Sequence, residues 1–140
     1  MQAPATPTNK GTILVVDDDP VVNDSLAKWF RSEGYVAQPV ADSRQALEAV
    51  QEVEYDLALI DIQMPGMNGM EHQSRLRGIR PEITVVIMTG YPSEDTEERA
   101  FALGACAYVT KPVDLDDLSN LVGVACSAGR RERQRKPGEP

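Results

Sequence analysis

Short apolar runs recur along the chain, and amphipathic stretches separate them. The first run, TILVV, is apolar at nearly every position, which is typical of a strand that is buried on both faces of a sheet. Four more runs are rich in Val, Ile, Leu or Ala and are bounded by turn residues. The pattern therefore predicts five strands, at Thr12–Val16, Tyr35–Val40, Leu57–Ile60, Ile83–Met88 and Cys106–Thr110.

The segments between these runs carry apolar residues at helical spacing. Asp19 and Pro20 are typical of an N-cap and a first helical position, and Val22, Leu26 and Phe30 then fall on one face. Similar patterns follow each of the other runs, and Ser43 would cap the second helix. They predict five helices, which begin and end near Pro20 and Gly34, Ser43 and Val53, Met70 and Ile79, Ser93 and Gly104, and Asp114 and Ala128.

Strands that alternate with helices through short links predict an α/β fold. Such a chain forms a parallel sheet with helices on both faces, and its crossovers are right-handed. Ligands of these sheets bind at the carboxyl ends of the strands. Polar side chains that can bind ligands or react lie at those ends. They are Asp17, Asp18 and Asp19 after the first strand, Asp61 at the end of the third, Thr89 after the fourth and Lys111 after the fifth.

Several carboxylates at one sheet edge repel one another unless a cation compensates their charge. Asp17, Asp18 and Asp61, with a backbone carbonyl just after Asp61, are suited to Mg²⁺. Lys111 would compensate part of the negative charge and bind a phosphoryl oxygen, and the hydroxyl of Thr89 would donate a hydrogen bond to another phosphoryl oxygen. Because Asp61 alone ends the central apolar run, it is the candidate nucleophile for phosphoryl transfer. The neighbouring Asp19 is interpreted as a helix cap only.

Four segments of the chain resemble the signatures of response-regulator receiver domains. These segments are LVVDDD at 14–19, IDIQMPGMNG at 60–69, IMTG at 87–90 and YVTKP at 108–112, and they occur in the family's order. The resemblance covers residues 11–127. It implies a flavodoxin-like, doubly wound sheet of five parallel strands in the order 2-1-3-4-5, with five helices.

The resemblance also implies roles for the residues at the strand ends. Asp61 would be the phosphoacceptor, and Asp17, Asp18, Asp61 and the backbone carbonyl of Gln63 would bind Mg²⁺. Thr89 and Lys111 would contact the phosphoryl group, and the peptide bond before Pro112 would be cis. Thr89 and Tyr108 would form a switch that remodels the face of the fourth helix, fifth strand and fifth helix.

Such a domain is a signalling phosphoacceptor that assists its own phosphorylation and dephosphorylation; it is not a dedicated enzyme. The implied partners are a sensor histidine kinase or a phosphotransfer protein, and an effector or an output domain. A phosphorylation-dependent dimer is a further expectation, although Cys106 and Ala107 replace the acids that often precede Tyr108 in family members that dimerise by this face. The bulk of Tyr91 is expected to slow dephosphorylation.

Acidic and basic residues are unevenly distributed along the chain. Residues 1–128 hold nine basic and twenty acidic side chains, a formal charge of −11, whereas residues 129–140 hold five basic and two acidic ones. A body this acidic disfavours direct binding of nucleic acid. We therefore expect a disordered segment at 1–10, a receiver domain at 11–128 and a basic tail or linker at 129–140. A single-domain regulator and a piece of a longer protein both stay open.

Membrane-span signals, the cysteines, His72 and the motifs of other protein classes remain to be considered. No stretch has the length or apolarity of a membrane span or a signal peptide, and a cytoplasmic protein is expected. Cys106 and Cys126 are predicted to be buried free thiols, and His72 is predicted to be a surface residue. A phosphohydrolase would carry a second acid where Gln63 stands, and a nucleotide-binding domain would carry a glycine-rich motif that is missing after the first strand. A receiver that binds partners without phosphorylation is a third alternative.

Overall fold

The five apolar runs form the five strands of one parallel sheet. A computed structural model describes residues 10–64 and 68–134, with side chains described as far as Cys126. The strands are β1 (Thr12–Val16), β2 (Val36–Val40), β3 (Leu57–Asp61), β4 (Thr84–Thr89) and β5 (Ala107–Thr110). Their order across the sheet is β2-β1-β3-β4-β5, so the predicted order and the flavodoxin-like fold are confirmed.

Five helices cover the sheet. They are α1 (Pro20–Ser32), α2 (Ser43–Glu52), α3 (Gly69–Ile79), α4 (Glu94–Ala102) and α5 (Leu115–Gln134). Alternate residues of β1 point to opposite faces, as the pleat requires: Leu14 packs with the cluster that contains Leu76 of α3, and Ile13 with the cluster that contains Phe30 of α1. Burial on both faces explains why these strands are apolar throughout.

A side-chain cap begins each of the five helices, including Asn68 at α3 and Asp114 at α5. Asp19 accepts hydrogen bonds from the backbone N–H of Val21 and Val22, which confirms its interpretation as a cap. Ser93 caps α4, as predicted. The predicted cap of α2 was one residue late, because Asp42 accepts from the N–H of Gln45 at 2.8 Å and leaves Ser43 as the first helical residue.

The last helix is longer than the pattern predicts. α5 ends at Gln134 instead of Ala128, so the first part of the basic segment continues the helix. Gly129 does not stop it. The expected disordered segment at 1–10 lies outside the described residues apart from Lys10, and residues 135–140 also lie outside them. Among the described residues, no helix has the combination of length and apolarity that crossing a bilayer requires.

Two predictions about burial were wrong. Cys126 is buried as expected, but Cys106 is exposed, because it precedes the edge strand β5 instead of lying within it. His72 is buried, with only 3% of its surface exposed, and it lies beside fully buried Gln73. Polar residues therefore occupy core positions of α3, which is why the apolar pattern of that helix is weak.

Buried His72 has no hydrogen-bond partner for either ring nitrogen among the described residues. Burial, with a smaller contribution from the charge of Arg75, lowers the pKa of His72 from 6.5 to about 4. The folded protein therefore keeps this ring neutral at pH values where the unfolded chain binds a proton.

This difference makes folding stability depend on pH. As the pH falls from 6.5 to about 4, the unfolded state gains the proton first, so His72 should cost roughly 1.4 kcal/mol of stability per pH unit. We compare wild type with His72→Leu. Because the carboxylates titrate in both proteins, the effect of His72 is the difference between their free energies of unfolding at each pH. We expect denaturant unfolding to show the variant losing less stability over this range. Parallel curves for the two proteins would contradict the prediction.

Candidate functional site

Three carboxylates meet at the carboxyl edge of the sheet. Asp17 directly follows β1 and Asp61 ends β3, and these strands are neighbours with Val16 opposite Ile60. One oxygen from each of Asp17, Asp18 and Asp61 lies within 4.8 Å of the others. Asp17 and Asp61 are buried, whereas Asp18 is exposed. The three predicted ligands therefore form one cluster that opens to solvent on the Asp18 side.

Lys111 bridges the two buried carboxylates. Its Nζ lies 2.8 Å from Oδ2 of Asp17 and 2.9 Å from Oδ2 of Asp61. Its backbone N–H donates to the carbonyl of Thr89 at 2.7 Å, which fixes the chain just after β5, and the Lys111–Pro112 peptide bond is cis. Burial acts to lower the pKa of Lys111, but the hydrogen bonds and charges of Asp17 and Asp61 outweigh it and raise the pKa. The ammonium group is therefore a permanent counter-charge.

Backbone amides hold the other carboxylate oxygens. Oδ1 of Asp17 accepts from the N–H of Asp19 at 2.9 Å, and Oδ1 of Asp61 accepts from the N–H of Gln63 at 2.8 Å. The amide of buried Asn23 also donates to the carbonyl of Asp17 at 3.0 Å. Burial is the main influence on the carboxyl of Asp17 and raises its pKa, even though Lys111 opposes the shift.

The cluster suits a hard divalent cation. Three carboxylates share one ammonium group, so negative charge remains uncompensated at a partly buried site. The raised pKa of Asp17 shows the cost of that burial. Carboxylate oxygens beside open solvent, which can supply waters, are the kind of ligand that Mg²⁺ prefers in proteins.

Thr89 and Tyr108 lie on the next two strands. Thr89 is fully buried, and its Oγ1 accepts from the N–H of Tyr91 at 3.0 Å. Tyr108 is half-buried, and its hydroxyl lies 2.6 Å from Oγ1 of Thr96 and accepts from the N–H of Ser93 at 3.3 Å. Both predicted switch residues therefore contact the segment that leads from β4 into α4.

Sequence reasoning missed three contributors to this edge. Asn23 ties Asp17 to the carbonyl of Val40 on β2, Thr96 pairs with Tyr108, and the side chain of Gln63 accepts from the N–H of Gly90 at 3.0 Å. Asn23 and Thr96 lie in helices, where a polar residue has no distinguishing signal. Nothing in the local sequence of Gln63 indicates where its side chain points.

Taken together, the fold and this edge define a doubly wound domain with an acidic, lysine-bridged cluster at the carboxyl ends of its strands. Comparison with known proteins agrees. Residues 13–123 match the family described as the response regulator receiver domain. The chain is 37% identical to sporulation initiation phosphotransferase F of Bacillus subtilis over 110 residues, which cover 79% of this chain and 89% of that protein.

Two further comparisons define the extent of the likeness. The crystal structure of a CheY-like receiver domain protein from Methanospirillum hungatei superposes with a TM-score of 0.82 at 31% identity, covering 86% of this chain and 97% of that one. The transcriptional regulatory protein ZraR of Escherichia coli is 41% identical over 106 residues, which cover 76% of this chain but only 24% of ZraR. The chain belongs to the response regulator receiver domain family, whose members are phosphorylation-dependent signalling domains of two-component systems.

Removing the bridging cation should destabilise the fold. In Lys111→Met, buried Asp17 and Asp61 face each other without compensation, and we expect the free energy of unfolding at neutral pH to fall by about 1–3 kcal/mol. Millimolar Mg²⁺ should restore part of the loss, because a cation that binds only the folded state stabilises it.

Urea unfolding with and without Mg²⁺ measures both effects. Lys28→Met is a matched control, since it removes the exposed ion pair with Asp24, 3.1 Å long, and should change stability little. A Lys111→Met variant as stable as wild type in the absence of Mg²⁺ would contradict this account of the site.

Proposed function

We propose that the chain is a signalling switch that accepts a phosphoryl group on Asp61 from a sensor histidine kinase or a phosphotransfer protein. The observation that carries this proposal is the bridge of Lys111 to both Asp17 and Asp61 at adjoining strand ends. It holds one carboxylate oxygen of Asp61 beside a fixed positive charge. Transfer of a phosphoryl group to that carboxylate needs such a charge next to the oxygen that reacts.

In the proposed reaction, a carboxylate oxygen of Asp61 attacks phosphorus and forms a P–O bond as the donor's P–N bond breaks. The donor nitrogen keeps the electron pair, and an aspartyl-phosphate results. Lys111 would then bind a phosphoryl oxygen, and the hydroxyl of Thr89 would donate to another. The N–H of Gln63, which already donates to Asp61, holds the carboxylate in place for the attack.

Mg²⁺ is part of this proposal. Asp17, Asp18 and Asp61, with the main-chain carbonyl of Gln63, would hold the ion. When bound, it would neutralise the charge that develops on the phosphoryl oxygens. Asp18 would be a direct ligand of the ion, and Asp17 would bind it directly or through a water molecule.

The signal would leave through the face formed by α4, β5 and α5. We propose that phosphorylation draws the hydroxyl of Thr89 inward and that Tyr108 follows, which would change the affinity of this face for an effector, an output domain or a second copy of the chain. Direct binding of nucleic acid or membrane is not part of the proposed role.

The boundaries of the domain are also part of the proposal. The receiver domain would span 11–128, and the basic segment at 129–140 would serve as a tail or linker. The chain spans about a quarter of the length of ZraR. Action in the cytoplasm remains part of the proposal.

Intact-mass analysis after incubation with acetyl phosphate tests the phosphoacceptor. We expect a single phosphoryl adduct that requires Mg²⁺ and is lost in Asp61→Ala, because that variant lacks the nucleophilic oxygen. Asp56→Ala is a useful second control, since Asp56 is a buried carboxylate at the other end of β3. No adduct on a protein that does bind Mg²⁺ would instead favour a receiver that acts without phosphorylation.

The exposed ring of Tyr91 should affect how long the phosphoryl group survives. Tyr91 lies two residues after Thr89 and is 78% exposed, so its ring can shield the path of an attacking water. We expect Tyr91→Ala to shorten the lifetime of the aspartyl-phosphate, measured by the decay of the adduct after removal of acetyl phosphate. An unchanged or longer lifetime would contradict this role.

A further inference from the structure

The segment between β4 and α4 is held at every backbone N–H by a side chain. Gly90 donates to Oε1 of Gln63 at 3.0 Å, and Tyr91 donates to Oγ1 of Thr89 at 3.0 Å. Pro92 has no N–H to donate, and Ser93 donates to the hydroxyl of Tyr108 at 3.3 Å. We call these three side-chain oxygens, from Gln63, Thr89 and Tyr108, the loop clamp.

The loop clamp draws on three separate elements. Gln63 follows β3, Thr89 ends β4 and Tyr108 lies in β5, so the segment is tied to three adjacent strands of the sheet. Loops usually satisfy their amides with water or with one another. An exposed four-residue connection whose amides are all bound by side chains from the sheet therefore has a defined resting position.

Two members of this arrangement lie outside the residues expected to bind the phosphoryl group or to switch. The side chain of Gln63 is one, and Thr96 is the other. Oγ1 of Thr96 lies 2.6 Å from the hydroxyl of Tyr108 and also pairs with Ser93, so it fixes the oxygen to which the N–H of Ser93 donates. Tyr108 cannot leave its present position without giving up this bond.

A phosphoryl group on Asp61 would compete with Gln63 for the N–H of Gly90, and it would also attract the hydroxyl hydrogen of Thr89, whose oxygen accepts from the N–H of Tyr91. Asp61 pairs in register with Met88, so Gly90 lies just past the strand end beside the phosphoacceptor. Charged phosphoryl oxygens form hydrogen bonds roughly twice as strong as the neutral carbonyl of Gln63 does. The N–H of Gly90 and the hydroxyl of Thr89 would therefore turn towards the phosphoryl group, and the loop clamp would open.

We propose, resting on the proposed function, that Gln63 and Thr96 are positioning residues that stabilise the resting position of the β4–α4 segment. Their side chains act through Gly90 and Tyr108 and do not touch the reacting atoms; only the backbone N–H of Gln63 contacts Asp61. Each opposes phosphorylation by one hydrogen bond that the phosphorylated state lacks. The strength of these two hydrogen bonds would set the equilibrium between the resting and the active position of the segment in the unphosphorylated chain.

Equilibrium binding of beryllofluoride, a mimic of the phosphoryl group that does not transfer, tests this directly. In the full chain with Mg²⁺, the backbone resonances of Gly90, Tyr91 and Ser93 report the position of the segment. We expect Gln63→Met and Thr96→Val each to lower the apparent dissociation constant by about two-fold to ten-fold, the equivalent of one net hydrogen bond. Thr96→Ser keeps the hydroxyl and should bind like wild type.

Matched controls remove similar bonds elsewhere. Gln45→Met breaks a side-chain bond to the N–H of Ala41 at the same sheet edge, 2.9 Å long, and Ser119→Ala breaks the 2.7 Å bond from Trp29. Both should leave the affinity for beryllofluoride unchanged. A residue with a merely structural role would lower stability without tightening binding.

The outcomes separate the two proposals. If wild type binds beryllofluoride but neither Gln63→Met nor Thr96→Val binds more tightly, the clamp is overturned and the proposed function stands. Tighter binding in one variant alone would overturn the positioning role of the other residue. If wild type neither binds beryllofluoride nor accepts a phosphoryl group from acetyl phosphate, the proposed function fails and the clamp fails with it.

Discussion

The contact between one ammonium group and two buried carboxylates organises the functional edge of this protein. Lys111 lies at the end of the edge strand β5, yet it reaches Asp17 after β1 and Asp61 at the end of β3, with β4 in between. That reach requires the carboxyl ends of four strands to stay level. The apolar burial of β1, β3 and β4 on both faces provides this rigidity, because a shift of any one strand would disrupt packing on two sides of the sheet.

Charge and geometry at this edge reinforce each other. The carboxylates of Asp17 and Asp61 each have one oxygen on Lys111 and one on a backbone N–H, so neither can rotate freely. Such fixed acceptors form a preorganised site, which needs little rearrangement when a cation or a ligand binds. The same rigidity extends to the β4–α4 segment, whose amides are bound by side chains from three strands. Consecutive hydrogen bonds therefore connect Asp61, through Gln63, to this exposed segment.

Much of this could be predicted from the sequence, because strands buried on both faces and residues placed at their ends leave strong signals. Asp61 stands out since it ends an apolar run, and Lys111 since it follows one. Helix details were less predictable: Asp42 and Ser43 both suit a cap, and only the backbone geometry decides between them. Burial of His72 and exposure of Cys106 were missed, because composition says nothing about how a helix face or a strand edge meets its neighbours. Side-chain bonds such as those of Thr96 and Gln63 depend on rotamers, which no sequence pattern records.

The polar interior of α3 has a consequence for how the domain opens. Among the described residues, five buried side-chain atoms lack a hydrogen-bond partner, and four of them belong to His72, Gln73 and Arg77 of this helix. Each such atom gives up its hydration without replacement, so α3 contributes less to the stability of the fold than its burial suggests. Elements that contribute less to stability can open locally at a lower free energy than the rest of the fold. The amide hydrogens of α3 should consequently exchange with solvent through local openings. Those of β1 and β3 should exchange only when the whole domain unfolds.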